Sequence, residues 1–216
     1  MAESSSPGDQ PKTARPEEQL TAQGARRRTA LLDAAERVLT EVGNAESSMR
    51  AIAAEAGVRI GHLQHYFPSR AALIRCVLER ALQRSLQRLV DTTGLAVGEE
   101  SAAGPQAHPS AVVAALLAEH DDPLLVQLYV EIWAIAARDE EIAQVVRDFY
   151  DKYTGHVAAF IRHCQPDLPE PQRQAKAQTF AALIEGAALL RSGIAGHRSD
   201  LADAELTRTA IALLIE

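Results

Sequence analysis

The chain has 216 residues, 47% of them hydrophobic but only 4% aromatic, and a formal net charge of −7 at pH 7. That is enough apolar mass for one large domain or two small ones, and the abundance of Ala and Leu favours helices. No alternating β-branched run makes a strand, no apolar run approaches the ~18 residues of a membrane span, and the polar N-terminus has no apolar signal core.

Residues 1–23 are rich in Ser, Pro, Gln, Gly and Glu without periodicity and read as a disordered tail. Arg26, Arg27 and Arg28 then open a first helix with the stripe Leu31, Leu32, Ala35, Val38, Leu39 and Val42, stopped by Gly43-Asn44. Three arginines at a helix N-terminus oppose the macrodipole. A phosphate backbone nearby would compensate them, and so would plain solvation.

Residues 48–67 read as a helix-turn-helix. Met49, Ile52, Ala53 and Ala56 form one apolar face behind an N-cap at Ser48. The cap is single-sided, because Ala51 stands where Glu or Gln would complete a capping box. Gly57 occupies the expected left-handed C-terminal position. Val58, Leu63 and Phe67 fix the second helix on the first, leaving Arg59, Ile60, His62, Gln64 and His65 outward. Such a unit presents its second helix to the DNA major groove, where Arg, His and Gln read base edges or bind phosphates. Residues 24–70 carry seven Arg against five acids, whereas residues 71–216 carry 13 basic and 20 acidic residues. The basic face is therefore local, and the acidic remainder helps orient the docking end.

This stretch resembles the DNA-binding domain of TetR-family transcriptional regulators over residues 26–80. The matching positions are Ser48, Ile52, Ala53, Ala56, Gly57, Val58, Gly61, Leu63, Tyr66, Phe67, Ser69 and Leu73. Arg59 departs from the usual Ser or Thr, Gln64 from a frequent Tyr and Arg70 from Lys. The resemblance implies an all-α, nine-helix, dimeric architecture with a DNA-binding domain at 24–70 and a ligand-sensing and dimerisation domain at 71–216. It places Arg59, Ile60, Gly61, His62, Gln64 and His65 toward the bases. Ser48, Tyr66, Arg70 and one or more of Arg26, Arg27 and Arg28 would hold phosphates.

Further along, Ser69 caps a long helix with Leu73, Ile74, Val77, Leu78, Ala81, Leu82 and Leu89 on one side. Residues 92–109 form the longest internal loop, and Val112–His120 a short helix. Asp122-Pro123 starts a helix to about Ala137 that is apolar nearly all round except Gln127 and Glu131, a pattern expected to be central and buried. Asp139 starts the next, with Ile142, Val145, Val146, Phe149, Tyr153, Val157, Phe160 and Ile161 inward. Pro166, Pro169 and Pro171 break it. An Ala-rich helix spans 172–192, where Gly186 implies close packing, and a last helix begins near Leu201 or Asp203 and carries Leu206, Ala210, Ile211, Leu213 and Leu214.

Residues 124–192 resemble the C-terminal domain of BetI-like members of the family, at Trp133, at Arg138-Asp139 and at Ala182–Gly186. A single recognition helix reads few base pairs, so a two-fold dimer on a palindromic operator is expected. The last two helices are its candidate interface, against the alternative that their stripes are ordinary core. Tyr129, Trp133, Phe149, Tyr150, Tyr153 and Phe160 cluster on two helices and suit an apolar or cationic effector, with Gln127 and Glu131 as polar handles, or else they are plain core.

The sequence has no phosphate loop, dinucleotide fingerprint or nucleophile elbow. His62 and His65 have no Cys or carboxylate to complete a metal site, and His163 and Cys164 are neighbours that face apart. No enzyme activity, cofactor, metal or membrane contact is expected. Cys76 and Cys164 are too few for a secreted disulfide scaffold and are expected reduced in the cytoplasm. The reading is a ligand-relieved repressor of double-stranded operator DNA. An activator or ligand-independent regulator of the same fold, and a helical protein-interaction module, are its alternatives.

Overall fold

The computed structural model describes residues 22–94 and 107–216. The expected tail, apart from residues 22 and 23, and the middle of the expected loop at 92–109 lie outside them. The described residues form nine helices and no strand beyond a single bridge between Ser192 and His197. In chain order they are α1 (Ala22–Glu46), α2 (Met49–Glu55), α3 (Ile60–Tyr66), α4 (Arg70–Thr93), α5 (Pro109–Glu119), α6 (Pro123–Ala136), α7 (Glu140–Cys164), α8 (Glu170–Arg191) and α9 (Asp200–Ile215).

Local chemistry sets most of these limits. The side chains of Ser48, Ser69, Asp122, Asp139 and Ser199 each accept a backbone N–H in the first turn of the helix that follows. Pro123 sits at the start of α6, where its missing N–H costs nothing. Gly94 ends α4 in the left-handed region (φ 70°).

One apolar core runs through the described residues, from Leu31 and Leu39 of α1 to Leu214 of α9. α4 packs on α1 at one side and on α5 and α7 at the other, so it belongs to both halves of the molecule. α7 buries Ile142, Phe149, Tyr153, Val157, Phe160 and Ile161 between α4, α6, α8 and α9. At the end of α4 the Thr93 hydroxyl and His156 Nε2 of α7 share a buried hydrogen bond of 2.7 Å. Arg191 fastens α8 to α5 and α9, donating to the Leu117 carbonyl (2.6 Å) and pairing with Asp203 (2.9 Å).

Two expectations about packing need correction. α6 is not buried all round: besides Gln127, which the pattern excepts, Leu124 is 55% exposed, because α1 and α7 cover the helix on only part of its surface. Gly186 is not a point of close approach within the protomer, since a Cβ placed there would meet nothing within 4 Å.

The tightest polar junction lies at the end of α1. Gly43 breaks the helix (φ 76°, ψ 171°), which leaves carbonyls without helical partners. Arg70, the first residue of α4, fills the gap. Its guanidinium donates to the Asn44 carbonyl, to Asn44 Oδ1 (2.6 Å), and to both the carbonyl and the hydroxyl of fully buried Ser47 (2.7 Å each). From the body, Glu131 of α6 accepts the Asn44 N–H (3.2 Å). Replacing Arg70 with Ala strands these acceptors, at a cost of about 2 kcal/mol. The thermal midpoint of Arg70→Ala, followed by circular dichroism, is expected to fall by about 5 °C. Arg70→Lys, with one head group for several acceptors, should recover part of the loss.

Candidate functional site

The turn between α2 and α3 is short because Gly57 supplies the left-handed conformation it needs (φ 64°), and the Val58 N–H returns to the Ala53 carbonyl at 2.9 Å. Leu63 and Phe67, 0% and 2% exposed, pin α3 to the same core as Ile52 and Ala53. The opposite side of α3 presents Arg59, Ile60, Gly61, Gln64 and His65 to solvent. Arg59 caps α3 by backbone alone, so its side chain is free to reach outward. Nothing lies within 4 Å of a Cβ placed on Gly61, so a bulky surface can approach the backbone there.

Three residues expected at this surface are placed otherwise. His62 is half-buried, its Nε2 is sealed without a hydrogen-bond partner, and its ring stands edge-on to Tyr66 at 5.5 Å. Arg28 folds back onto the protein, with Nη2 3.2 Å from Cys76 Sγ and the guanidinium 5.2 Å from the centroid of the Phe67 ring. Arg70 turns inward to the end of α1. Arg26, Arg27 and Ser48 are exposed, while Tyr66 is half-buried and packed on the core.

The body encloses a second feature, a narrow cavity of about 40 Å³ between α4, α5, α6, α7 and α8. Tyr129, Trp133 and Tyr153 give it aromatic walls, and Ser85, Glu119, His120 and Glu185 are its polar groups. The Trp133 indole N–H donates to the Tyr150 oxygen (3.1 Å), and the Tyr150 hydroxyl lies beside the Glu185 carboxylate. Burial pushes the Glu185 carboxyl up to about 7, Tyr150 pulls it back, and the charge of Glu119 pushes it further up. Burial likewise raises Tyr129 to about 12. Burial, and then Arg191, lower His120 to about 4. The Arg191 Nη1–H points at His120 Nδ1 (3.3 Å), which is therefore the accepting nitrogen of a neutral ring.

Of the expected effector residues, Tyr129, Trp133 and Tyr153 come together on this wall, with Tyr150 one hydrogen bond behind. Phe149 and Phe160 are core. Gln127 is exposed, and Glu131 is spent on the end of α1. Glu185 lines this wall instead, and its signal was in the sequence: it lies four residues after Ala181 and three before Ala188, on the inward stripe of an Ala-rich helix. Glu119 and His120 gave no such signal, because they sit where α5 ends.

Among the described residues no group of His, Cys, Asp and Glu could hold a metal ion, no helix is long and apolar enough to cross a membrane, and Cys76 and Cys164 are both free thiols.

An outward-facing recognition helix on a body that encloses a cavity defines a helix-turn-helix transcriptional regulator. The chain belongs to the TetR family of bacterial regulatory proteins: the family's N-terminal pattern matches residues 31–77, and that of the BetI-type transcriptional repressor C-terminal domain matches residues 105–216. It is 30% identical over 170 residues to the HTH-type transcriptional regulator BetI of Agrobacterium fabrum (strain C58), covering 78% of this chain and 74% of that one. It is 27% identical over 185 residues to BetI of Yersinia pestis, covering 83% and 87%. Among solved structures, a transcriptional regulator from Pseudomonas aeruginosa PAO1 superposes with a TM-score of 0.72 at 22% identity, over 88% of this chain and 89% of that one. A regulator from Saccharomonospora viridis, solved in complex with choline, superposes with 0.66 at 17%, over 88% and 96%.

Glu185 makes stability depend on pH in a defined direction. A carboxyl whose value is raised on folding favours the folded state most below its unfolded value near 4.5, and loses that contribution as pH rises to about 7. His120, lowered on folding, acts in the opposite sense below 6.5. The difference between wild type and Glu185→Gln isolates the first effect. The variant is expected to gain on wild type between pH 5 and 7.5, by at most roughly 3 kcal/mol, in urea titrations at matched pH. A constant difference across that range would remove Glu185 as a buried, raised carboxyl.

Proposed function

We propose that this protein is a cytoplasmic, homodimeric repressor that reads a palindromic operator with α3 and leaves it when a small organic cation binds in the body. The observation that carries the effector half is the convergence of two carboxylates, Glu119 and Glu185, with Tyr129, Trp133 and Tyr153 on one enclosed space. Aromatic faces and a carboxylate are what a cation with an apolar surface requires. The choline held by the Saccharomonospora viridis regulator supports the same chemistry here and supplies the first probe.

The cavity is too small for such a ligand as it stands. About 40 Å³ admits a few waters, whereas ligand sites span hundreds of Å³. A ligand therefore favours an expanded body. Because α4 and α6 wall the cavity and α1 and α4 hold the head, expansion changes how the two heads of a dimer are presented.

The dimer interface is assigned to α8 and α9. Ala175, Ala182, Gly186 and Leu190 lie outward on α8, with Leu190 57% exposed, and Leu201 at the start of α9 is 86% exposed. A flat small-residue surface beside exposed leucines suits a two-fold helix packing, and supplies the close approach that Gly186 lacks within the protomer.

Arg59, Ile60, Gly61, Gln64 and His65 are assigned to the bases, and Arg26, Arg27, Ser48 and Tyr66 to phosphates. Selection of sheared genomic DNA by the full-length protein should enrich a palindrome whose half-sites lie about 34 Å apart, and no enrichment would end the repressor reading. On that operator Gln64→Ala should relax preference at one base position, by about 1–3 kcal/mol. Arg27→Ala should weaken all sequences and reduce the salt slope by about 1, while inward-turned Arg70→Ala should leave the slope unchanged. Choline should release the operator and its neutral isostere 3,3-dimethylbutan-1-ol should not. Equal release by both would contradict a cation site.

A further inference from the structure

Glu119 and Leu125 line the buried cavity and also an open surface channel of about 600 Å³ between α1, α4 and α6. The channel opens onto Glu119. Arg88 of α4 stands at the boundary between the two spaces, 2.9 Å from the Glu119 carboxylate and beside the Tyr129 hydroxyl.

It is an ill-fitted ion pair. Nε and Nη2 of Arg88 are sealed from solvent yet make no aligned hydrogen bond, and the Tyr129 hydroxyl is in the same condition although Ser85 and Arg88 lie beside it. Two turns earlier on the same helix, Arg80 Nε is likewise sealed, but both its terminal nitrogens make aligned bonds, to Asp33 (2.7 Å) and Glu36 (2.6 Å). Buried donors that miss their acceptors cost free energy. Arg88 is therefore held by charge more than by aligned hydrogen bonds.

We propose that Arg88 is a resident cation that occupies Glu119 in the empty protein, and that an organic cation arriving through the channel between α1, α4 and α6 competes with it and frees α4 from α5. The proposal rests on the cationic effector argued above. An incoming cation that takes Glu119 replaces the charge of Arg88 with its own, so the site suits a single positive charge. When Arg88 leaves, α4 loses its ion pair to α5, and α4 starts only three residues after Phe67, the C-cap of the recognition helix.

The test is calorimetric titration of the full-length protein with choline and with tetraethylammonium, comparing wild type, Arg88→Met, Arg88→Lys and Arg88→Met/Glu119→Gln. Removing the competitor should tighten cation binding in Arg88→Met by about tenfold, the low end of what close charge pairs carry. Arg88→Lys should bind like wild type, and the gain should vanish when Glu119 is also neutralised. Should Arg88→Met fail to fold by circular dichroism, Arg88→Gln keeps a polar head without the charge and carries the same expectation. Cation binding by wild type with no gain on loss of the Arg88 charge, or a gain that survives Glu119→Gln, overturns the role of Arg88 and leaves the cationic effector standing. Absence of cation binding in every protein overturns both.

Discussion

The unpaired end of α1 is the constraint around which the two halves of this molecule are joined. A helix that stops at Gly43 leaves carbonyls that water or protein must satisfy, and Ser47 is fully buried, so protein must do it. The answer comes from two directions. Arg70 arrives from the helix that follows the recognition helix, and Glu131 arrives from the helix that walls the cavity. Three elements with different duties therefore meet on five residues, Gly43, Asn44, Ser47, Arg70 and Glu131. A Cβ on Gly43 would stand 3.1 Å from Glu131 Oε1 as well as forcing an unfavourable backbone, so the corner has little room for other residue types.

The body solves a different problem, the burial of charge. Two carboxylates in one enclosed space repel each other and lose their hydration. The protein eases this with a cation at Glu119 and, beside Glu185, the Tyr150 hydroxyl held by the Trp133 indole. At Glu119 the fit is loose, since Arg88 Nε and Nη2 and the Tyr129 hydroxyl are sealed without aligned hydrogen bonds.

The head was legible in the sequence because its signals are local. Ser48, Gly57 and the spacing of Ile52, Leu63 and Phe67 act over one or two helical turns, and the structure places each as that pattern implies. Helix limits in the body were legible for the same reason, through Asp122-Pro123, Asp139 and the prolines after Cys164. What could not be read was the direction in which long polar side chains turn. Arg28, Arg70 and Glu131 are polar residues near a helix end or face that suggested solvent, DNA or ligand, and each found a partner many residues away in the chain, while His62 turned in against Tyr66. Glu119 was hidden because its neighbours Arg88 and Tyr129 come from other helices, and no spacing within α5 announces them.

The smallness of the cavity would set the tempo of the proposed response. Were an effector to bind there, space for it would exist only while the walls have parted, so at high concentration the rate of association would level off at the rate of opening and no longer follow supply. The measured affinity is likewise diluted by the rarity of the open form. A regulator built this way ignores brief pulses and answers sustained exposure, and substitutions that prop the body open would sharpen its sensitivity and shorten its delay together.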